Sequence, residues 1–114
     1  MKIYILAEHD ELAEVAEPMA ASIALWLQQN PVQHRSLVAP SDDELVVGLS
    51  LETGKKTGLK APLSFLYSLA QQHKSEFVVG VIRDDGSREN ICFFGHEEGR
   101  PDINEVAQYL GLKR

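Results

Sequence analysis

Between residues 53 and 60 the chain reads Thr53-Gly54-Lys55-Lys56-Thr57-Gly58-Leu59-Lys60, the one dense positive cluster in a protein of net charge −6. The apolar run Leu45 to Leu51 precedes it, and Pro62 suits the first residue of a following helix. A glycine-rich turn from strand into helix presents unpaired amides at the positive end of the helix dipole, and lysines add mobile charge. The chemistry such a turn can perform is capture of a phosphate, a carboxylate or a nucleotide. Gly54, Lys55, Lys56, Thr57, Gly58 and Lys60 are therefore anion-binding candidates. The spacing is not that of a P-loop, which needs Gly-x-x-x-x-Gly-Lys-Ser/Thr. Here three residues separate Gly54 from Gly58, and Ala61 follows Lys60. A solvated turn whose lysines offset surrounding acid is the plainer reading of the same residues.

Two further clusters combine imidazole with carboxylate: His9-Asp10-Glu11 and His96-Glu97-Glu98. Together they supply nitrogen and oxygen donors of the kind metals take. No His-Glu-x-x-His and no cysteine pair is present, so a solvated helix cap and a polar loop are expected instead, with no metal and no cofactor. The single cysteine, Cys92, lies in the apolar run Ile91-Cys92-Phe93-Phe94 and reads as a structural thiol. None of Ser22, Ser50, Ser64 and Ser68 stands in the Gly-x-Ser-x-Gly turn that exposes a nucleophile. His73 reads as a helix-end cation, His34 as a strand surface residue, and Trp26 as a core or half-buried side chain. The chain is not expected to be an enzyme.

The elements that must hold these groups follow from periodicity. Lys2 to Glu8 is a buried strand, and Leu12 to Asn30 carries an apolar stripe that stays in phase across Pro18, giving one kinked helix. Gln33 to Ala39 and Leu45 to Leu51 form a hairpin around Ser41-Asp42-Asp43-Glu44. Pro62 to Lys74 is a second helix, Glu76 to Ile82 a strand buried on both faces, and Asp84-Asp85-Gly86 turns it into Asn90 to Phe94. A last helix starts at Asp102, with Glu105 three residues on as in a capping box, and stops at Gly111. This order predicts one α+β domain over 1–114: a ferredoxin-like βαββαβ sandwich, extended by a hairpin strand and a C-terminal helix, with a mainly antiparallel five-stranded sheet. The alternative is a mixed α/β sheet with helices on both faces.

Charge narrows the function classes. Residues 1–52 hold nine acidic side chains against Lys2 and Arg35, and the remainder is nearly balanced. That excludes the positive footprint needed for nucleic acid or an anionic membrane, and suits a basic protein partner. Asp42, Asp43 and Glu44 on one tip and Asp84 and Asp85 on another are the protein-contact candidates; convergence of the two tips would make one negative patch. No apolar run approaches the roughly 20 residues of a membrane span, and the N-terminus turns acidic early, so a cytoplasmic protein is expected. In size and charge the chain resembles small acidic bacterial immunity proteins, which neutralise secreted toxins. That resemblance implies a non-enzymatic inhibitor. The rival expectation is a regulatory domain that binds a nucleotide, coenzyme A or phosphate at Thr53 to Pro62. That segment also resembles the pyrophosphate loop of acetyltransferases, from which it departs by lacking the second small residue. A homodimer, hiding a sheet edge, is compatible with either.

Overall fold

Ile3, Ile5 and Ala7 alternate along Lys2–Glu8 (β1) and point to one side, into the core, while Tyr4 and Leu6 point to the other. In the computed structural model, which describes residues 1–32 and 34–112, β1 is the middle strand of a five-stranded sheet. Its companions are Arg35–Val38 (β2), Gly48–Glu52 (β3), Glu76–Ile82 (β4) and Arg88–Gly95 (β5), in the spatial order β2-β3-β1-β4-β5. Every neighbouring pair is antiparallel. The helices are Leu12–Gln29 (α1), Thr57–His73 (α2) and Ile103–Leu110 (α3).

Each long crossover skips one strand. The β1-α1-β2 connection passes over β3, and β3-α2-β4 passes over β1, so the joined strands are parallel with an antiparallel strand between them. A single core holds the inward residues of β1, β3 and β4 together with residues of all three helices. Tyr4 and Val78, on the reverse of the same strands, lie outside that core. The architecture is therefore two-layered α+β, as expected, and not a sheet sandwiched between helices. Phe77 and Phe94, paired across β4 and β5, stack with centroids 5.6 Å apart at its centre.

Element ends differ from the periodicity in instructive ways. Helix α2 begins at Thr57 rather than Pro62, because the chain already turns at Lys55: the amides of Gly58 and Leu59 donate to the carbonyls of Lys55 and Lys56. Pro62 lies buried inside the helix, where it has no N–H to give the Gly58 carbonyl. Strand β3 starts at Gly48, leaving Leu45 and Val46 in a nine-residue connection instead of a tight hairpin. Strand β5 is longer than expected and bulges at Ile91, since Val79 faces Cys92 while Gly80 faces Asn90. The extra residue lets both Ile91 and Cys92 pack toward the core. For β2 the expected Gln33 lies outside the described residues. Helix α1 is one helix, with the exposed Pro18 on its solvent side and Ala16, Met19 and Ile23 buried. The amides of Asn104 and Glu105 donate to the Asp102 carboxylate at the start of α3, and Gly111 ends that helix at φ 75°.

Candidate functional site

The lysine loop bonds in part to itself. The Thr53 Oγ1 accepts the Lys55 amide at 3.2 Å, and the amides of Gly58 and Leu59 bond back to the carbonyls of Lys55 and Lys56. A side chain at Gly58 would collide with the Thr53 hydroxyl, its Cβ falling 2.4 Å from Oγ1, so the glycine permits this closure. The amides that a bound phosphate would use are thus partly engaged within the turn. The three lysines also separate. Lys56 donates to Asn104 Oδ1 of α3 at 2.8 Å, while Lys60, one turn into α2, lines a different groove beside Arg100. Gly54 and Lys55 remain at the exposed tip.

The carboxylates do the opposite. Register places Leu6 against Gly48 and Val78, and Glu8 against Glu76, so three chain segments meet where β1 ends. Glu8, Asp10 and Glu11 come from the β1–α1 turn, Asp42, Asp43 and Glu44 from the β2–β3 connection, and Glu76, Glu97 and Glu98 from either side of the β4–β5 pair. These are nine of the seventeen acidic residues, and the same segments hold only two lysines or arginines, Lys74 and Arg100. One of them is structural: the Glu76 carboxylate accepts the amides of Glu97 and Glu98 at 2.9 and 2.8 Å. The Ser41 hydroxyl and backbone close the Ser41-to-Glu44 turn and leave Asp42 and Asp43 exposed.

Asp84 and Asp85 do not join this group. The β4–β5 turn lies beyond Ile82, which faces Lys2 at the other end of β1. The two acidic tips are separated by the strand length, roughly 20 Å at about 3.3 Å per residue. Several charged groups at that end have partners. Arg83 pairs with Glu89, Lys2 faces Glu52 across β1 and β3, and Asp85 accepts the Ser87 amide and hydroxyl. Those two hydrogen bonds from Ser87 hold the Asp85 carboxyl below the usual range.

The histidine clusters fall at the acidic end but serve locally. His9 Nδ1 accepts the Glu11 amide at 2.9 Å in the turn that leads into α1, whose start has no side-chain cap. Among the described residues no three His, Cys, Asp or Glu side chains stand close enough to hold a metal ion. Cys92 is half-buried, and burial, helped by the Glu105 carboxylate, pushes its thiol above the ordinary value.

Between the two ends, the sheet face away from the helices carries a patch that periodicity alone does not reveal. Gly80 lets the Tyr4 ring lie flat on β4, since a Cβ there would fall 2.1 Å from Tyr4 Cζ. The Tyr4 hydroxyl donates to Asn90 Oδ1, and Arg88 lies over the ring with its guanidinium 5.7 Å from the centroid. Burial pushes the Tyr4 phenol above its ordinary range, against the smaller opposing pull of Arg88. Next to it, Leu6, Val78, Leu45 and Val46 line a cavity of about 490 Å³ that opens at the acidic end. Leu45 and Phe93 are about half exposed, at 49% and 52%. On the helix side, Trp26 stacks on Phe65 at 4.8 Å and under Arg35 at 5.1 Å. Nothing basic adjoins Trp26 in the sequence; β2 brings Arg35 to it. No protein family, curated protein or solved structure matches this chain.

Proposed function

We propose that the protein is a non-enzymatic, cytoplasmic binding domain that receives a basic protein partner on the acidic end of its sheet, as an immunity-type inhibitor of a toxin does. The observation that carries this reading is the gathering of three separate acidic segments at the end of β1, next to the cavity edged by Leu45, whose lining mixes aliphatic residues with Glu8, His9, Arg88 and Asn90. Exposed apolar groups rimmed by charge are the usual make-up of a protein contact surface. Unmatched carboxylates steer a basic partner and set its orientation, while Leu45 and the cavity beside it supply the area removed from water. The pattern also argues for a use other than folding, because like charges crowded at one end repel and lower stability. Among the described residues no helix is long and apolar enough to cross a membrane.

The test uses a lysine-rich peptide with one central aromatic residue as probe, titrated into the full chain at low salt. Binding is expected to weaken steeply with added salt and by about ten-fold when Asp42, Asp43 and Glu44 are changed together to their amides. Binding unaffected by that triple change counts against the reading.

A further inference from the structure

We propose that the groove between α2 and the connection from β5 to α3 is a binding site for a small phosphate monoester with an apolar body. It is a cavity of about 380 Å³ on the helix layer, within the range of small-ligand sites, and none of its lining residues belongs to the open face. Lys60 and Arg100 supply two cations on its walls, Ser64 and Tyr67 supply hydroxyls, and Leu63 and Ile103 form an apolar floor. Lys60 and Ser64 are four residues apart on α2 and so share one face of the helix. Lys60 also stands in the first turns, where the helix dipole favours an anion beside it.

Arg100 is held in place by its backbone. Gly95 and Gly99 exchange two backbone hydrogen bonds, at 3.0 and 2.8 Å, and both take positive φ, 148° and 92°, which a side chain would resist. The loop they close is fastened again by the Glu76 carboxylate on the amides of Glu97 and Glu98, and Pro101 fixes the chain on the far side of Arg100. The guanidinium then lies over the Tyr67 ring, 5.3 Å from its centroid. In that position its N–H edge is available to an oxyanion. Arg83–Glu89 is the only ion pair among the described residues, and the nearby Asp102 carboxylate is engaged by amides of α3. Lys60 and Arg100 thus line the groove without an ion-pair partner among the described residues, in a protein with an excess of acid. A guanidinium and an ammonium lining one groove together with hydroxyl groups match the three-sided charge of a phosphate better than a flat carboxylate.

The experiment is amide-resolved NMR of the full chain at constant ionic strength, titrated with phenyl phosphate and, separately, with phenol and benzoate. Phenyl phosphate is expected to give saturable shifts at Lys60, Ser64, Tyr67 and Arg100, weakened by about ten-fold or more in Arg100→Gln and in Lys60→Gln. Both residues are exposed, so the spectra of the variants report directly that the fold is retained. The proposal is overturned by the absence of saturable shifts, by shifts that neither substitution weakens, by equal binding of phenol or benzoate, or by shifts centred on Lys55 and Lys56 instead. The Asp42, Asp43 and Glu44 triple variant keeps this site, so failure here and failure of the protein-binding reading are separately visible.

Discussion

The two ends of the sheet treat charge in opposite ways. At the Lys2 end several charged groups have partners: Arg83 pairs with Glu89, Asp85 accepts from Ser87, Lys56 donates to Asn104, and Lys2 stands opposite Glu52 in the register. At the Glu8 end, carboxylates from three segments converge and, apart from Glu76 and its two amides, have no such partners among the described residues. Folding dispersed the cluster that is dense in the sequence, the lysines, and gathered the acidic groups that are scattered along it. Closeness along a chain is therefore a poor guide to a charged site when strand register decides which loops share an end. A surface whose charges are satisfied contributes to the fold. One whose charges are left over is available to something else.

The contrast depends on register, so the largest effect should come from disturbing it. A Cβ at Gly48 would lie 2.0 Å from the Ile5 carbonyl oxygen, at the point where β3 enters its pairing with β1. Gly48→Ala is expected to destabilise the protein by about 3 kcal/mol in urea unfolding, since backbone must move to admit the methyl. It should also separate the β2–β3 connection from the other acidic segments. Next in size is Glu76→Gln, which exchanges a carboxylate holding two amides for a group with one acceptor oxygen. A loss of about 1.5 kcal/mol is expected, in contrast to its exposed acidic neighbours.

Tyr4→Phe sharpens the description of the face between the two ends. Loss of the hydroxyl donated to Asn90 is expected to cost about 1 kcal/mol at neutral pH. The wild-type phenol has its folded pKa raised above the unfolded value of about 10, because burial favours the neutral form. Its contribution is complete below that unfolded value and is lost as pH rises through the folded pKa. The wild type should thus lose stability in alkali by an increment that Tyr4→Phe lacks, measurable as the difference between their urea midpoints across that range. Smallest is the effect on stability of amidating Asp42, Asp43 and Glu44 together. Unfolding should change by no more than about 0.5 kcal/mol, with any change in the stabilising direction and shrinking as salt is added.

Much of the fold was legible in the sequence, because its signals are local. Unbroken apolar runs marked β1 and β4, a stripe in phase across Pro18 marked α1 as one helix, and Asp102 with Gly111 marked both ends of α3. The errors fell where tertiary contact overrides a local cue. Pro62 reads as a helix start, yet the turn at Lys55 begins the helix earlier and the proline is simply buried within it. Leu45 and Val46 look like strand, but they lie in the loop and line the open-face cavity.

The candidate sites were less legible, since each depends on partners far apart in the chain. Glu76 anchors residues 21 and 22 positions away, Tyr4 bonds a residue 86 positions away, and Arg100 meets α2 only through a loop closed by two glycines. Gly95 and Gly99 were the available signal for that loop, as two glycines flanking a polar stretch just after a strand. Whether Asp84 and Asp85 join Asp42 to Glu44 is open in the sequence, and the register of β1 with β3 and β4 places the two tips at opposite ends.

The account rests on the acidic end being a contact surface, and affinity capture tests that most directly. The full chain, the Asp42/Asp43/Glu44 triple amide variant and an Asp84→Asn/Asp85→Asn variant are each immobilised and exposed to native lysate of the producing cells at low salt. Retained proteins are identified by mass spectrometry. The account predicts a basic protein held by the wild type and by the Asp84/Asp85 variant, and lost from the triple variant. Capture of the same basic protein by all three, or its loss from the Asp84/Asp85 variant alone, would contradict it.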